Sequence, residues 1–499
     1  MKKPSDSLFQ LIKSLNGQEK RYFKIFASRH TIGDKNNYLK LFDAMEKQVE
    51  YDEAEIKEKF KKEKFIRYFF VVKSYLYEMI LKSQDAYHSG DTIASQLNRM
   101  VHYIEILYDK ALYEQCTKMI EKAETLALKH ESFLTLLEII IWKFRITRTA
   151  TFQKTFENEL DIFYQEKQNI IIKISNYYHY QWLNTKLFSR AMKKGWFPRS
   201  AEEVQQEYDP IISDSIFEGQ EKALSLQAKI LFHNTVSAYS HLKGDNEMSY
   251  LHSKKADAIF NENIFLTDSI QEDYISCLSN LIFTSMFLGK YKEAFLYINI
   301  LKKINPRSKG LQAKIITSAF LPEIISYNIN GNIDAGLKLI PDIENKLQSY
   351  ETLIAPTDTL YLKFNFACIY FRAEDFKKSA HWLFVILNDR SISLLPDLHT
   401  KVKILNLMVH SELDNADLLP YILRSTYRFL LKQQRLYTFE KRVIEFIRNL
   451  PNVSSKEIIS AYKKLKLDLI KLSRDPYEKK AMNFFGFINW LDTKINVSE

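Results

Sequence analysis

The side chains in this 499-residue chain best suited to metal or nucleophile chemistry are eleven histidines and three cysteines. No histidine stands in an HExxH or HxH pattern. Cys116, Cys277 and Cys368 lie far apart with no CxxC pair, so neither a zinc site nor a structural disulfide is implied. His233, His241 and His252 cluster in sequence, but intervals of eight and eleven residues put at most two on one helical face, as surface or capped side chains. The chain has no GxxxxGK[ST], GxGxxG or GxSxG, and hence no phosphate-cradling loop or nucleophile elbow. Acid pairs such as Glu202-Glu203 and Asp52-Glu53 sit in charged helical patterns, where a solvated face is the default. These residues predict a protein that is not an enzyme and carries no cofactor or metal.

Two stretches, residues 57–73 (KEKFKKEKFIRYFFVVK) and 424–442 (RSTYRFLLKQQRLYTFEKR), interleave Lys and Arg with Phe and Tyr, as nucleic-acid surfaces do. At 3.6 residues per turn, however, Phe65, Phe69 and Val72 form one side while Lys61, Lys64 and Arg67 lie elsewhere, which describes an amphipathic helix with a basic outer face. An alternative is a helix-turn-helix in which residues 52–60 support a recognition helix over 65–82, with Lys61, Lys64, Arg67 and Lys73 as nucleic-acid contacts. The turn at 61–64 lacks glycine, and Tyr68, Phe69 and Phe70 leave few polar residues for base edges.

The elements that must position any site are helices. With eleven Gly and eleven Pro there is little material for hairpins or strand turns, and 46% hydrophobic residues, 14% of the chain aromatic, supply an ample core. Residues 278–306 (LSNLIFTSMFLGKYKEAFLYINILKKINP) show the unit. Leu278, Leu281, Ile282, Ser285 and Met286 share one helical face, Gly289 marks a sharp turn, and Tyr291, Ala294, Ile298, Leu301 and Ile304 form the stripe of a second helix that stops before Pro306. Such a pair needs a neighbouring pair to cover it. Turns recur at Gly244, Gly289, Gly331 and Glu374, at intervals of 45, 42 and 43 residues, and Tyr113, Cys116, Ile120 and Ala123 repeat the pattern earlier. A glycine there avoids the roughly 1–2 kcal/mol that a left-handed backbone costs other residues.

The run Gly289-Lys-Tyr291-Lys-Glu293-Ala294, closed by Pro306, resembles the second half of a tetratricopeptide repeat. The pair at the fourth turn, with Asn365, Phe366, Ala367, Tyr370 and Phe371 ahead of Asp375-Phe376, resembles that family best in its first helix. A period above 40 residues, against about 34 in the family, means longer helices or loops. The resemblance implies an all-α, tetratricopeptide-like α-α superhelix, or solenoid, over residues 91–499, preceded by a helical N-terminal module over 1–88 and ended by a capping helix over 477–495. Residues 195–214, with two prolines and poor periodicity, read as a loop within it. The resemblance also implies ligand binding in the groove lined by the first helix of each pair. Its groove positions fall on Asn234, His241, Asn280, Phe283, Phe364, Asn365 and Arg372. The Lys/Arg pairs that clamp a carboxylate terminus in some family members do not line up here.

Net charge is +10, a mild bias that permits an acidic partner or nucleic acid without requiring either. An odd cysteine count, the absence of an apolar leader and of any apolar run near ~20 residues place the chain in the cytoplasm, without a membrane span. The expected function is a non-catalytic scaffold that binds a protein or peptide in its groove. The alternative is a regulator, like peptide-sensing bacterial regulators, whose N-terminal module touches nucleic acid.

Overall fold

A computed structural model describes residues 5–29, 37–88, 90–150, 156–454, 457–482 and 486–497. The protein is all-helical, with no β-strand among the described residues. Helix contacts divide the chain into two compact units, residues 1–170 and 171–499.

The first unit begins with α1 (Ser7–Ser14), α2 (Gly17–Ser28), α3 (Asn37–Lys47), α4 (Glu53–Lys59) and, after a 3₁₀ turn, α5 (Phe69–Tyr87). Asn16 caps α2 through a reciprocal box with Glu19, and Asp52 caps α4. The apolar faces of these helices meet in a core containing Phe23, Leu41, Phe42, Met45, Leu76 and Ile80, with the Phe23 and Phe42 rings 4.6 Å apart. The sequence reading closes this module at residue 88, whereas the compact unit runs on to residue 170. The junction explains the difference: His88 bonds both Glu19 behind it (2.9 Å) and Asp91 ahead of it (2.6 Å). The unit continues with α6 (Ile93–Asp109), α7 (Tyr113–Lys129) and α8 (Phe133–Ala150). The unit boundary falls inside the 39-residue α9 (Phe156–Lys194).

In the second unit, α10 (Ala201–Glu207) and α11 (Asp209–Ile212) precede a run of hairpins. These pair α12 (Leu226–Lys243) with α13 (Asn246–Glu262), then, after the short α14 (Phe265–Ser269), α15 (Gln271–Phe287) with α16 (Tyr291–Lys303). They continue with α17 (Lys309–Asn330) on α18 (Ile333–Ser349), α19 (Pro356–Arg372) on α20 (Phe376–Leu387), and α21 (Pro396–Glu412) on α22 (Leu419–Lys432). Next come α23 (Thr438–Asn449), α24 (Ile458–Leu472), α25 (Pro476–Met482) and α26 (Phe487–Val497).

One backbone device closes the hairpins of both units. Ala111, Glu131, Gly244, Gly289, Gly331, Glu374, Asp414 and Gln434 all have left-handed φ, between 51° and 95°. At seven of them the next amide bonds the carbonyl five residues back, as in Asp245→Ser240 (2.8 Å), Lys290→Ser285 (2.9 Å) and Asp375→Tyr370 (2.9 Å). This is the Schellman closure, which satisfies two orphan carbonyls and turns the chain back. Asp245, Asn332 and Asp375 then cap the second helix at once. Between α21 and α22 the left-handed residue is Asp414.

The turn also fixes the packing register. Five residues past the turn stand Leu136, Leu419 and Phe439 in three hairpins and, in the other five, Cys116, Ser249, Ala294, Gly336 and Ser379, which are small and buried. Three of them touch the first helix twelve residues back: Cys116 Sγ donates to the Ile104 carbonyl (3.4 Å), Ser379 Oγ to that of Ala367 (2.8 Å), and Ser249 Oγ lies 3.2 Å from Ser237 Oγ. At Gly336 a Cβ would stand 2.6 Å from Ile369 Cδ1, on the next hairpin. Nine and twelve residues past the turn come the buried pairs Ile120/Ala123, Ile298/Leu301, Ile340/Ile343 and Leu383/Ile386.

The single helix expected over 477–495 is two, α25 and α26, separated at Gly486, where φ is +74°. Phe484 and Phe485 lie outside the described residues. Phe487, Leu491 and Ile495 are buried in the core shared by α19 to α26.

Gly289 has open space around it, so its left-handed φ alone sets the effect of a side chain there. In urea unfolding, Gly289→Ala is expected to lower stability by about 1 kcal/mol. Gly336→Ala should lose more than Gly289→Ala, and Glu374→Gly should lose nothing. Equal midpoints for wild type and Gly289→Ala would contradict the account.

Candidate functional site

A set of charged and aromatic side chains in the second unit surrounds residues 195–200, part of the expected loop. This short segment lies against α21, α23 and α25 as a strap. Gly195, at φ +113°, opens it, and a Cβ there would stand 2.3 Å from Asp397 Oδ2, so only glycine lets the backbone approach that carboxylate. Asp397 accepts the Phe197 N–H at 3.3 Å and pairs with Arg435, which also donates to the Lys194 carbonyl.

Arg199 anchors the other end. Its guanidinium grips Glu440 with two bonds (2.7 and 3.2 Å), meets Glu478 at 2.8 Å and covers the Tyr437 ring at 4.2 Å. Only 7% of its side chain is exposed and 2% of that of Glu440. Glu478 in turn accepts the Thr438 and Phe439 amides that begin α23. A buried cation shared by two carboxylates is held by desolvation as much as by attraction, because removing one partner strands the others in a low dielectric.

Between these anchors, Phe197 lies under the Lys401 ammonium (4.1 Å) and edge-on to His241 (6.0 Å), which stacks on Phe287 at 4.3 Å. Burial pulls the Lys401 pKa down to about 8, against the opposing pull of Asp397. The cavity left beside the strap measures about 20 Å³ and is lined by Arg199, Asp397, Lys401, Arg435 and Glu440 among others. Small-molecule pockets run to roughly 300–1,000 Å³, so this space is far smaller than a drug-sized ligand. The chemistry on display is the gripping of a polypeptide segment by a buried acid, an aromatic slot and a basic rim.

No protein-family model, curated protein or solved structure matches the chain. The geometry alone therefore carries the assignment.

The groove positions implied by the resemblance are partly gathered here. Asn280 Nδ2 lies 3.5 Å from Asn234 Oδ1, and Phe283 stacks beside Phe287, so Asn234, His241, Asn280 and Phe283 gather on facing sides of α12 and α15 near Phe197, with Asn234 and His241 buried there. On α19 the positions are absorbed otherwise. Phe364 is buried in the apolar core, Asn365 donates to the Tyr361 carbonyl (2.9 Å), and Arg372 donates to the Asn328 carbonyl at the end of α17. Asp397, Lys401, Arg435, Glu440 and Glu478 were not singled out from sequence. The proline-broken stretch around Arg199 was the one available signal.

In the first unit, Lys73 is enclosed, donating to Ser5 O (2.9 Å), Tyr51 Oη (2.6 Å) and Glu53 (2.9 Å), and Lys61 pairs with Glu58. Lys24, Lys40 and Lys57 pair with Asp43 and Glu46, Glu63, and Glu53 respectively. Lys64 and Arg67 are exposed, but beside them stand Tyr68, Phe70 (81% exposed) and Val71. Among the described residues no three His, Cys, Asp or Glu side chains converge as a metal site, and no helix is long and apolar enough to cross a membrane.

The clustered histidines do form one buried pair. His233 Nδ1 and His252 Nδ1 are 3.1 Å apart, and His233 Nε2 lies 3.0 Å from Gln220 Oε1. With Nε2–H donating to the glutamine, His233 Nδ1 accepts from His252 Nδ1–H, which requires the His233 ring to be neutral. Burial lowers both pKa values, that of His233 to about 3.

Arg199→Met is expected to lower the stability of the second unit by about 3–5 kcal/mol in urea unfolding, and adding Glu440→Gln and Glu478→Gln should return most of it. A loss below about 1 kcal/mol would show that the strap is held by something else. For the histidine pair the unfolded chain, with pKa near 6.5, takes up protons before the folded one. Stability is therefore full above that pH and declines as pH falls toward 3. Comparing urea midpoints near neutrality and in mild acid, wild type should lose more than His233→Asn/His252→Gln. Parallel loss in both proteins would count against the pair.

Proposed function

We propose that this protein is a non-catalytic interaction scaffold whose helical hairpins stack as a tetratricopeptide-like superhelix and bind an extended segment of a protein or peptide partner along their first helices. The observation that carries the reading is the strap: the protein already holds residues 195–200 of its own chain by a backbone N–H to Asp397, a ring slot between Lys401 and His241, and an arginine clasped by two glutamates. A backbone hydrogen bond, a ring in a slot and a paired charge are contacts that an extended segment of another chain can make as well. Next to the strap, the half-buried Asn280 and Phe283 offer an amide suited to a peptide backbone and an aromatic suited to an apolar side chain, with the buried Asn234 behind Asn280.

The pairing of lysines over residues 20–73 with neighbouring carboxylates supports this reading over that of a nucleic-acid-binding head. Three buried cysteines, none in a disulfide, fit a reducing, cytoplasmic setting.

The test is affinity purification of the tagged chain beside Asn280→Arg/Phe283→Glu, after nuclease treatment and at moderate salt, with both proteins shown to be folded by circular dichroism. Defined proteins recovered by wild type and lost by the variant support the scaffold. Equal recovery by both, or nothing above an untagged control, overturns it.

A further inference from the structure

The second unit carries a separate charged feature that the strap does not use. An open cleft of about 320 Å³ lies over the C-terminal part of α9, lined by Lys186, Ser189, Arg190, Lys193, Lys194 and Glu207. Four cations face one carboxylate, which already bonds Arg190 (3.2 Å) and Lys194 (2.8 Å). Among the described residues, neither Lys186 nor Lys193 has a carboxylate partner. The last-turn position of Lys193 and Lys194 complements the helix dipole, but that effect fades within one turn and leaves Lys186 unexplained.

Along the same helix, Tyr178, Trp182, Lys186, Ser189 and Lys193 follow one another by four, four, three and four residues, and so share a single face. Trp182 is 56% exposed and Tyr178 47%, large rings left in water one and two turns before the cleft. Lys186 lies 4.8 Å from the Trp182 ring centre, so ring and cation are adjacent parts of one surface. At 1.5 Å per residue, Tyr178 to Lys193 spans about 22 Å, long enough for several nucleotides.

We infer that this face of α9 binds single-stranded nucleic acid, its phosphates lying in the basic cleft and a base stacked on Trp182. Exposed aromatic rings leading into a cationic channel are the combination such binding uses: the charges hold the backbone without regard to sequence, and the rings offer a π face to any base. An acidic polypeptide would satisfy the lysines but would have no use for Trp182 and Tyr178. The inference does not rest on the peptide surface described above: only Lys194 meets both, its side chain in the cleft and its backbone carbonyl on Arg435.

The experiment is fluorescence polarisation of a labelled oligothymidylate titrated with the full chain at several salt concentrations. Affinity should fall with salt with a log–log slope of about −2, the value for some three phosphates. Lys186→Glu/Lys193→Glu should weaken binding at least tenfold, and Trp182→Ala about five- to a hundredfold. Trp182→Ala leaves the basic cleft intact, and circular dichroism checks that each variant folds. Two results would overturn the inference: absence of saturable binding, or binding that Trp182→Ala leaves unchanged and polyglutamate displaces as well as the oligonucleotide does, which would make the cleft a site for acidic chains.

Discussion

The fold rests on a backbone constraint at the hairpin turns. A left-handed residue ends a helix, at seven of the eight turns the amide after it reaches five residues back, and at six of the eight the second helix begins two positions on. In five of the hairpins the residue five places on faces the next packed helix at close range and is small, Cys116, Ser249, Ala294, Gly336 and Ser379, whereas Leu136, Leu419 and Phe439 fill the same position in the other three. Glycine makes the turn easiest, yet Ala111, Glu131, Glu374, Asp414 and Gln434 adopt the same conformation. At those five positions the packing of the two helices outweighs the backbone strain of about 1–2 kcal/mol.

That constraint also governs what a sequence can disclose. Turns at Gly244, Gly289, Gly331 and Glu374 were legible because glycine spacing, a flanking Asp or Asn and apolar periodicity all report on the same few residues. The slots at Cys116 and Ala294 followed from the same register. The non-glycine turns at Glu131 and Gln434 left no such mark, and neither did the break at Gly486, which an unbroken apolar pattern concealed. Local periodicity likewise described α5 well. It could not tell that Lys73 turns inward to Glu53, since that contact depends on how α4 packs against α5.

The strap was the least legible part. Arg199 and its two glutamates lie 241 and 279 residues apart in the chain, and nothing near Glu440 or Glu478 distinguishes either from any acid on a helix. The groove positions transferred by resemblance met a similar limit. Asn234, His241, Asn280 and Phe283 came together because α12 and α15 are neighbours. Phe364 went to the core because its face of α19 is covered by later helices. A motif fixes where a residue sits on its own helix, and only the packing of the other helices decides what it meets.

The reach of the Arg199 contacts also bears on how this unit unfolds. In a row of hairpins that touch only their neighbours, stability is nearly a sum of local terms, and such a row can fray from either end. Here a segment near the start of the unit is fastened to Asp397, Arg435, Glu440 and Glu478 near its finish. Detaching the final helices exposes buried charge at the beginning, so the two ends open together. Such cooperativity carries a kinetic penalty. The contacts have high sequence separation and close a very long loop, which places them among the last to form as the chain folds.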